Sequence, residues 1–181
     1  MRKLGLFLTI SVGVAVVSHA AFVYTAPDLA VAASFRKLEK QGLKPNKINF
    51  GKPYKAGEEY VGYGNPDSFS TRAIIDLSDG PLRFSAKIPE DQAYWSFALF
   101  QSDNDVAVLY SDRDLSSPQL DLVIATKAQM PSLDVDIPIA TLPDERGYFI
   151  VRSFPTDRFN PKIVEGTLKA ASETTLTILD Q

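Results

Sequence analysis

The sequence predicts a mainly β protein: an antiparallel β-sandwich or jelly-roll-like domain with one or two flanking helices, preceded by an N-terminal transmembrane helix. Two patterns predict this fold class. An apolar run without charged residues begins at Leu4 and ends at Tyr24, long enough to cross a bilayer as a helix. From Ser70 onward, short segments alternate apolar with polar residues and are separated by Pro, Gly, Asp and Ser, which is typical of half-buried strands joined by turns.

The N-terminal stretch, residues 1–24, is interpreted as a signal-anchor, with a cleaved export signal as the alternative. At 1.5 Å per residue the apolar run would span roughly 30 Å. Ala20 closes a possible cleavage site, but residues 21–24 continue the apolar run beyond it. Arg2 and Lys3 favour a cytoplasmic N-terminus. We therefore expect a single-pass protein of the bacterial inner membrane with its C-terminal domain in the periplasm, or a secreted periplasmic protein if cleavage occurs near Ala20.

Residues 25–64 are predicted to form an amphipathic helix followed by a basic linker. Asp28 follows Pro27 and is a suitable helix N-cap, and Gly42 marks the end of the helix. An apolar stripe on this helix is expected to dock on the domain or on the membrane, and it comprises Val31, Phe35 and Leu38. Basic residues predominate over 36–55, which leaves two interpretations open: contact with anionic headgroups, or a solvated linker.

Residues 65–181 are assigned to the β-sandwich domain. After Gly80 and Pro81, apolar residues at 82, 84, 86 and 88 alternate with polar ones, as expected for an antiparallel strand with one face in the core. The segment 94–100 is apolar on both faces and is predicted to be a central strand. Further strands are predicted over 106–110, 120–124, 133–137, 148–151 and 176–179, and a helix over 161–171.

The composition excludes several kinds of site. The chain has no Cys and a single His, His19, which lies in the apolar run. A Ser-His-Asp or Cys-His site therefore cannot be assembled in residues 65–181, nor can a zinc site that needs His or Cys ligands. With 22 acidic against 19 basic residues, the chain does not resemble a nucleic-acid binder. We expect no cofactor, no metal and no nucleic-acid partner.

Several polar residues are candidates for a site. The candidate ligand-binding residues are Asn65, Asp67, Tyr94, Ser96 and Asp105. Carboxylates at 103, 105, 112 and 114 are the kind of ligand that Ca²⁺ prefers, but the glycine and distal Glu of an EF-hand loop are missing, and Asp is common in turns. Turn chemistry is therefore the favoured interpretation. Trp95 and Phe97 are expected in the core, with a ligand-lining role for Tyr94 as the alternative.

One region also carries a family resemblance. The matching pieces are Asn65, Asp67, Asp76-Leu77, Asp79-Gly80-Pro81, Tyr94-Trp95-Ser96 and Ser111-Asp112-Arg113. In these residues the chain resembles the domain of unknown function 1254 family, in its short, membrane-anchored bacterial form. The resemblance implies a β-sandwich of uncertain biochemistry, often encoded beside a related companion domain. Members of this form often carry cysteines that are absent here, so a disulfide role does not transfer.

Two functional hypotheses follow from these patterns. The favoured one is a non-catalytic, membrane-tethered envelope domain whose sheet surface binds a protein partner, such as a companion envelope protein, or an apolar ligand. The alternative is a carboxylate-dependent envelope hydrolase that uses Asp67, Asp76 or the carboxylates of 103–114. A cluster of Asp67, Tyr94 and Asp105 around a deep pocket would favour the hydrolase, whereas scattered positions would favour the binding domain.

Overall fold

Nine strands in two sheets, together with two helices, make up the described part of the chain. The computed structural model describes residues 2–40, 44–51, 65 and 67–179, without the side chains of 34 and 37–39. The helices are α1 (Arg2–Lys40) and α2 (Pro161–Ser172). The strands are β1 (Asn49–Phe50), β2 (Phe69–Asp76), β3 (Leu82–Lys87), β4 (Gln92–Gln101), β5 (Val106–Ser111), β6 (Gln119–Thr126), β7 (Ile139–Leu142), β8 (Arg146–Pro155) and β9 (Thr175–Ile178).

The two sheets differ in size and share one core. The five-stranded sheet has the order β1-β2-β8-β4-β5, and the four-stranded sheet has the order β7-β6-β3-β9. Strand pairs are antiparallel except β6 with β7, which is parallel. The predicted mainly β class, with flanking helices and a long apolar N-terminal helix, is confirmed.

The core lies between the sheets and is built from alternate residues of each strand. Phe84 of the four-stranded sheet contacts Phe97 and Phe149 of the five-stranded sheet, with ring centroids 4.5 Å and 4.9 Å away. Trp95 is 1% exposed and belongs to the same cluster. The core assignment of Trp95 and Phe97 is therefore confirmed.

One predicted strand is wrong. Residues 133–137 alternate apolar with acidic side chains, yet they form no strand, and the strand β7 begins only at Ile139. The reason is the parallel pairing of β6 with β7, because a parallel pair needs a crossover connection. Residues 127–138 provide that crossover, and Met130–Ser132 within it form a 3₁₀ turn whose second residue is Pro131.

The predicted start of a separate helix at Asp28 is also wrong. Helix α1 runs from Arg2 to Lys40 without a break and contains Pro27. Proline in a helix interior removes one backbone hydrogen bond, but long apolar helices tolerate it, and Ser or Thr hydroxyls help to satisfy nearby carbonyls. Pro27 lacks the N–H that would bond the Val23 carbonyl, and the Thr25 hydroxyl donates to the carbonyl of Ala21, two residues earlier, at 2.8 Å. Asp28 is therefore an interior helical residue rather than a cap.

The end of α1 docks on the outer face of the five-stranded sheet. Val31 and Phe35 are 8% and 7% exposed and pack with Ile74 of β2 and Tyr148 of β8. The rings of Phe35 and Tyr148 meet edge to face with centroids 5.8 Å apart, and the Arg146 guanidinium lies 5.8 Å from the Phe35 ring centre. Docking on the domain is thus confirmed for these two residues, whereas the side chain of Leu38 lies outside the described part.

Residues 2–30 of α1 make almost no contact with the domain. Their large apolar side chains are exposed, and Arg2–Ala33 is long and apolar enough to cross a membrane. Most of the predicted linker, residues 52–64, lies outside the described residues. The short strand β1 lies within the segment that is predicted to be a basic linker.

We expect Trp95→Ala to lower the free energy of unfolding by about 3–5 kcal/mol, because it removes a buried aromatic side chain from the shared core. Urea unfolding of the two proteins measures the change. Tyr94→Ala, on the other face of the same strand, is the control and should cost less. A melting curve that Trp95→Ala leaves unchanged would contradict the core assignment.

We expect Gly147→Ala to destabilise the fold, because its Cβ would lie 2.6 Å from the backbone oxygen of Phe100 and 2.9 Å from Leu142 Cδ1. Backbone cannot move aside cheaply in a paired strand, so a loss of about 1–3 kcal/mol is expected in thermal or urea unfolding. The matched control is Gly166→Ala in α2, where an added Cβ meets no atom within 4 Å. That substitution should be neutral or stabilising, because alanine favours helix over glycine.

Candidate functional site

The five candidate ligand-binding residues do not form one cluster. Ser153 pairs with Phe69 on one side and with Trp95 on the other, so β2 and β4 begin at the same end of the five-stranded sheet. Asn65, Asp67 and Tyr94 therefore lie toward this end. Asp105 follows the far end of β4, where its carbonyl accepts a bond from Gln101 N at 2.8 Å. Along β4, Tyr94 and Gln101 are separated by about 23 Å.

Asn65 and Asp67 form a turn that is tied to a distant loop. The Asn65 side chain accepts a hydrogen bond from Asp67 N at 2.9 Å, which closes an Asx turn before β2. The Asp67 carboxylate forms an ion pair with Arg158 at 2.5 Å. This pair links the entry to β2 with the loop between β8 and α2, and it gives Asp67 a structural partner.

Tyr94 and Ser96 lie on the outer face of the five-stranded sheet, opposite the core. Tyr94 is half-buried and its ring lies 5.9 Å from that of Phe154. Ser96 is buried and pairs with Ser111 of β5 and Arg152 of β8. Tyr94 therefore belongs neither to the core between the sheets nor to a deep pocket.

Two of the acidic residues around β5 act within their own turns. Asp103 Oδ1 accepts a bond from Asp105 N at 2.9 Å. Asp114 Oδ2 accepts bonds from the amide and the hydroxyl of Ser111 at 2.8 Å and 2.6 Å, and these bonds lower the pKa of Asp114. Asp112 instead bonds the neighbouring strand β4, where its Oδ1 accepts from Trp95 N at 3.1 Å. Turn chemistry is thus the role of Asp103 and Asp114, and the described part of the chain contains no group of three or more His, Cys, Asp or Glu side chains placed to hold a metal ion.

The motif Asp76-Leu77-x-x-Gly80-Pro81 forms the turn that carries the chain from one sheet to the other. Asp76 Oδ1 accepts a bond from Ser78 N at 3.1 Å, and Gly80 has φ of +131°, which favours glycine. The Asn46 side chain pairs with the Asp76 backbone, donating to its carbonyl at 2.7 Å and accepting from its amide at 2.9 Å. The motif therefore has a structural role, and the contribution of Asn46 had no signal in the sequence.

The carboxylates proposed for the alternative hydrolase lie apart. Asp67 precedes β2 and Asp76 ends it, so the length of that strand, roughly 25 Å, separates them. Asp76 lies at the same end as the β4–β5 turn, since Arg146 and Gly147 pair with the last residues of β2 and Gly147 also pairs with Gln101. General acid and base groups must both reach one substrate, which Asp67 and Asp76 do not.

The sequence predicted strand β5 but not its position at an edge. It is the last strand of the five-stranded sheet, and Val106 and Leu109 on its outer face are 53% and 58% exposed. Asp112 N donates to Trp95 O, so the backbone groups of Leu109 and Ser111 point away from β4. We call Val106, Leu109 and the outward backbone groups of Leu109 and Ser111 the β5 surface.

Two clefts lie where the helices meet the sandwich. The larger, about 350 Å³, lies between α2 and the β3–β4 turn and is called the α2 cleft. The smaller, about 280 Å³, lies between α1 and the β4–β5 turn beside Phe35, Arg36 and Arg146. Neither cleft contains any of the five candidate ligand-binding residues.

The fold and surfaces define a two-sheet β-sandwich protein with an N-terminal helix able to cross a membrane. No protein-family model and no curated protein matches the chain. The resemblance to the domain of unknown function 1254 family stays a prediction.

Similarity to one solved structure supports the fold, and a weaker match is also found. The VPA0106 protein from Vibrio parahaemolyticus matches 84% of this chain at 11% identity with a TM-score of 0.64. An uncharacterized protein from Burkholderia cenocepacia matches 85% at 16% identity with a TM-score of 0.46. The chain spans 35% of the first of these proteins and 48% of the second.

We expect Asp76→Asn to reduce the pH dependence of stability. The bonds from Ser78 and, less strongly, the charge of Arg146 hold the pKa of Asp76 below its ordinary value, against a small opposing effect of burial. The stabilisation is therefore present above the unfolded carboxyl pKa of about 3.9 and is lost as the pH falls through the lower folded value.

Urea unfolding near neutral pH and at about pH 3 measures this effect. The stability difference between wild type and Asp76→Asn should be larger near neutral pH. Ser78→Ala keeps the amide donor and removes the hydroxyl, so it should give an intermediate result. If the stability difference between the two proteins were equal at both pH values, the charge of the Asp76 carboxylate would not contribute to stability.

Proposed function

We propose that this protein is a membrane-tethered, non-catalytic domain on the periplasmic side of the bacterial inner membrane, which binds a protein partner through the β5 surface. The observation that carries the proposal is an edge strand with exposed apolar side chains on a domain whose candidate catalytic carboxylates are dispersed.

The tether is supported by the exposed apolar part of α1. An exposed apolar surface of this extent is unfavourable in water and favourable in a bilayer. The pair Arg2 and Lys3 supports a cytoplasmic N-terminus, which would place the sandwich in the periplasm. Cleavage near Ala20 is the alternative, and it would leave the docked residues Val31 and Phe35 in the mature protein.

The non-catalytic part of the proposal is supported by what the carboxylates contact. Asp67 is paired with Arg158, Asp76 caps its own turn and Asp114 is bonded to Ser111. The single histidine of the chain lies in the apolar run. A hydrolase would need a convergent acid and base lining one pocket, and neither the α2 cleft nor the cleft beside Arg146 is lined by Asp67, Asp76 or a carboxylate of 103–114.

The chemistry of β5 favours an extended, basic partner segment. An unpaired strand edge can add a strand from another protein, with backbone bonds giving affinity and side chains giving specificity. Acidic residues flank both ends of the strand, Asp103 and Asp105 at one end and Asp112 and Asp114 at the other. The Ser111 amide is already bonded to Asp114, so the available edge is short and centred on Leu109.

The acidic flanks of β5 also set the charge expected of the partner segment. A segment with alternating apolar residues and Lys or Arg at its ends has the complementary pattern. A companion envelope protein, which the family resemblance implies, is the candidate source of that segment.

Photo-crosslinking in cells tests the proposal on the full-length protein. A photoreactive residue at Leu109 should give a discrete adduct, whereas the same residue at Thr177, exposed on the other sheet, should not. Asp105→Lys combined with Asp112→Lys should reduce the Leu109 adduct, because the acidic flanks are reversed. Equal adducts at both positions, or an adduct indifferent to the charge reversal, would contradict the β5 surface.

The intact mass of the membrane-extracted protein tests the tether separately. The mass of the full chain is expected, since an anchor is retained. A product that begins at Ala21 would show that the protein is secreted rather than tethered. It would leave the test of the β5 surface unaffected.

A further inference from the structure

We propose that the α2 cleft binds a small zwitterionic molecule with an apolar body, of the size and chemistry of a dipeptide. This site is separate from the β5 surface, because it lies between α2 and the β3–β4 turn. Its volume of about 350 Å³ is at the lower end of the range for ligand sites.

The cleft has an apolar base with one open wall. Ile88 of the β3–β4 turn and Ile163 and Ala170 of α2 line it and are half-buried. Thr167 is 1% exposed, and its hydroxyl donates to the Ile163 carbonyl at 3.0 Å, so the hydroxyl is already satisfied. Gly166 lines the cleft without a side chain, and a Cβ added there meets no atom within 4 Å. Helix α2 therefore leaves room for an apolar group beside these residues.

One ion pair bridges the cleft and leaves charges of both signs available. Lys87 Nζ donates to Glu173 Oε2 at 2.6 Å, joining β3 to the end of α2. This bond, with a weaker contribution from the charge of Lys169, lowers the pKa of Glu173. The Glu173 carboxylate is thus already paired with Lys87. Glu90 and Asp91 on the turn, and Lys169 on the helix, also line the cleft and form no ion pair with any described residue.

The positions of these charges select the ligand class. The turn offers carboxylates to an ammonium group, and the helix offers an ammonium group to a carboxylate. A simple anion would be repelled by Glu90 and Asp91, and a simple cation would make no use of Lys169. A molecule with an amino group at one end, a carboxylate at the other and apolar side chains between them satisfies both walls and the base.

The probe is leucyl-leucine. It is titrated into the full-length protein in lipid nanodiscs, and its binding is measured by calorimetry. Saturable binding is expected. Gly166→Leu should abolish it while retaining or raising the melting temperature, because leucine fills the open wall and favours helix over glycine. Glu165→Leu, which adds the same side chain at the adjacent helix position outside the cleft, is the matched control and should bind normally.

Charge-blocked probes and charge variants test the zwitterion. N-acetyl-leucyl-leucine and leucyl-leucine amide should each bind more weakly than leucyl-leucine. Lys169→Met should weaken the binding of leucyl-leucine by about two- to fivefold, as expected for the loss of an exposed ion pair. It should not further weaken the binding of leucyl-leucine amide. Glu90→Gln should weaken the binding of leucyl-leucine, which has a free amino group. It should not further weaken the binding of N-acetyl-leucyl-leucine.

Three results would overturn the proposal: no binding of leucyl-leucine at millimolar concentration, binding that Gly166→Leu leaves unchanged, or equal binding of the charge-blocked forms. Leu109→Lys, which alters the β5 surface, should leave dipeptide binding unchanged. The proposals for the β5 surface and for the α2 cleft can therefore be confirmed or contradicted independently.

Discussion

The central strand β8 is the constraint on which the rest of the structure depends. It pairs with β2 along the whole of that strand and with β4 from Pro155 to Gly147, and both of its faces make contacts with other elements. On the inner face, Phe149 meets Phe84 of the other sheet, and on the outer face Tyr148 receives the end of α1. The position of β8 thus fixes the core and the attachment of the N-terminal helix.

The sequence predicted most strands because alternation is a local property of a half-buried strand. It failed over residues 133–137, where the alternation is present but a distant pairing decides the structure, since β7 joins β6 in parallel and the chain must cross back. It failed at Pro27 for the opposite reason: a local breaker was outweighed by helix-forming residues on both sides. The edge position of β5 could not be predicted, because strand order is set by contacts between segments far apart in sequence.

The same distinction applies to the polar residues. Asx turns at Asn65 and Asp103 join residues two positions apart, so composition alone indicates them. Two ion pairs join residues that are far apart in sequence: Asp67 and Arg158 are 91 positions apart, and Lys87 and Glu173 are 86. No local sequence pattern predicts them. The candidate ligand-binding residues Tyr94 and Asp105 are near each other in sequence, but the extended strand β4 carries them to opposite ends of the sheet.

The unbroken helix α1 has a consequence for helical phase. About 10 Å of continuous helix separates Tyr24 from the docked residue Val31, and each residue turns the axis by about 100°. The face that the apolar segment presents to its surroundings is therefore set by which residues dock on Ile74 and Tyr148. One residue inserted between Tyr24 and Val31 would rotate the apolar segment by more than a quarter turn relative to the sandwich. The joint between helix and domain thus specifies an azimuth as well as a distance.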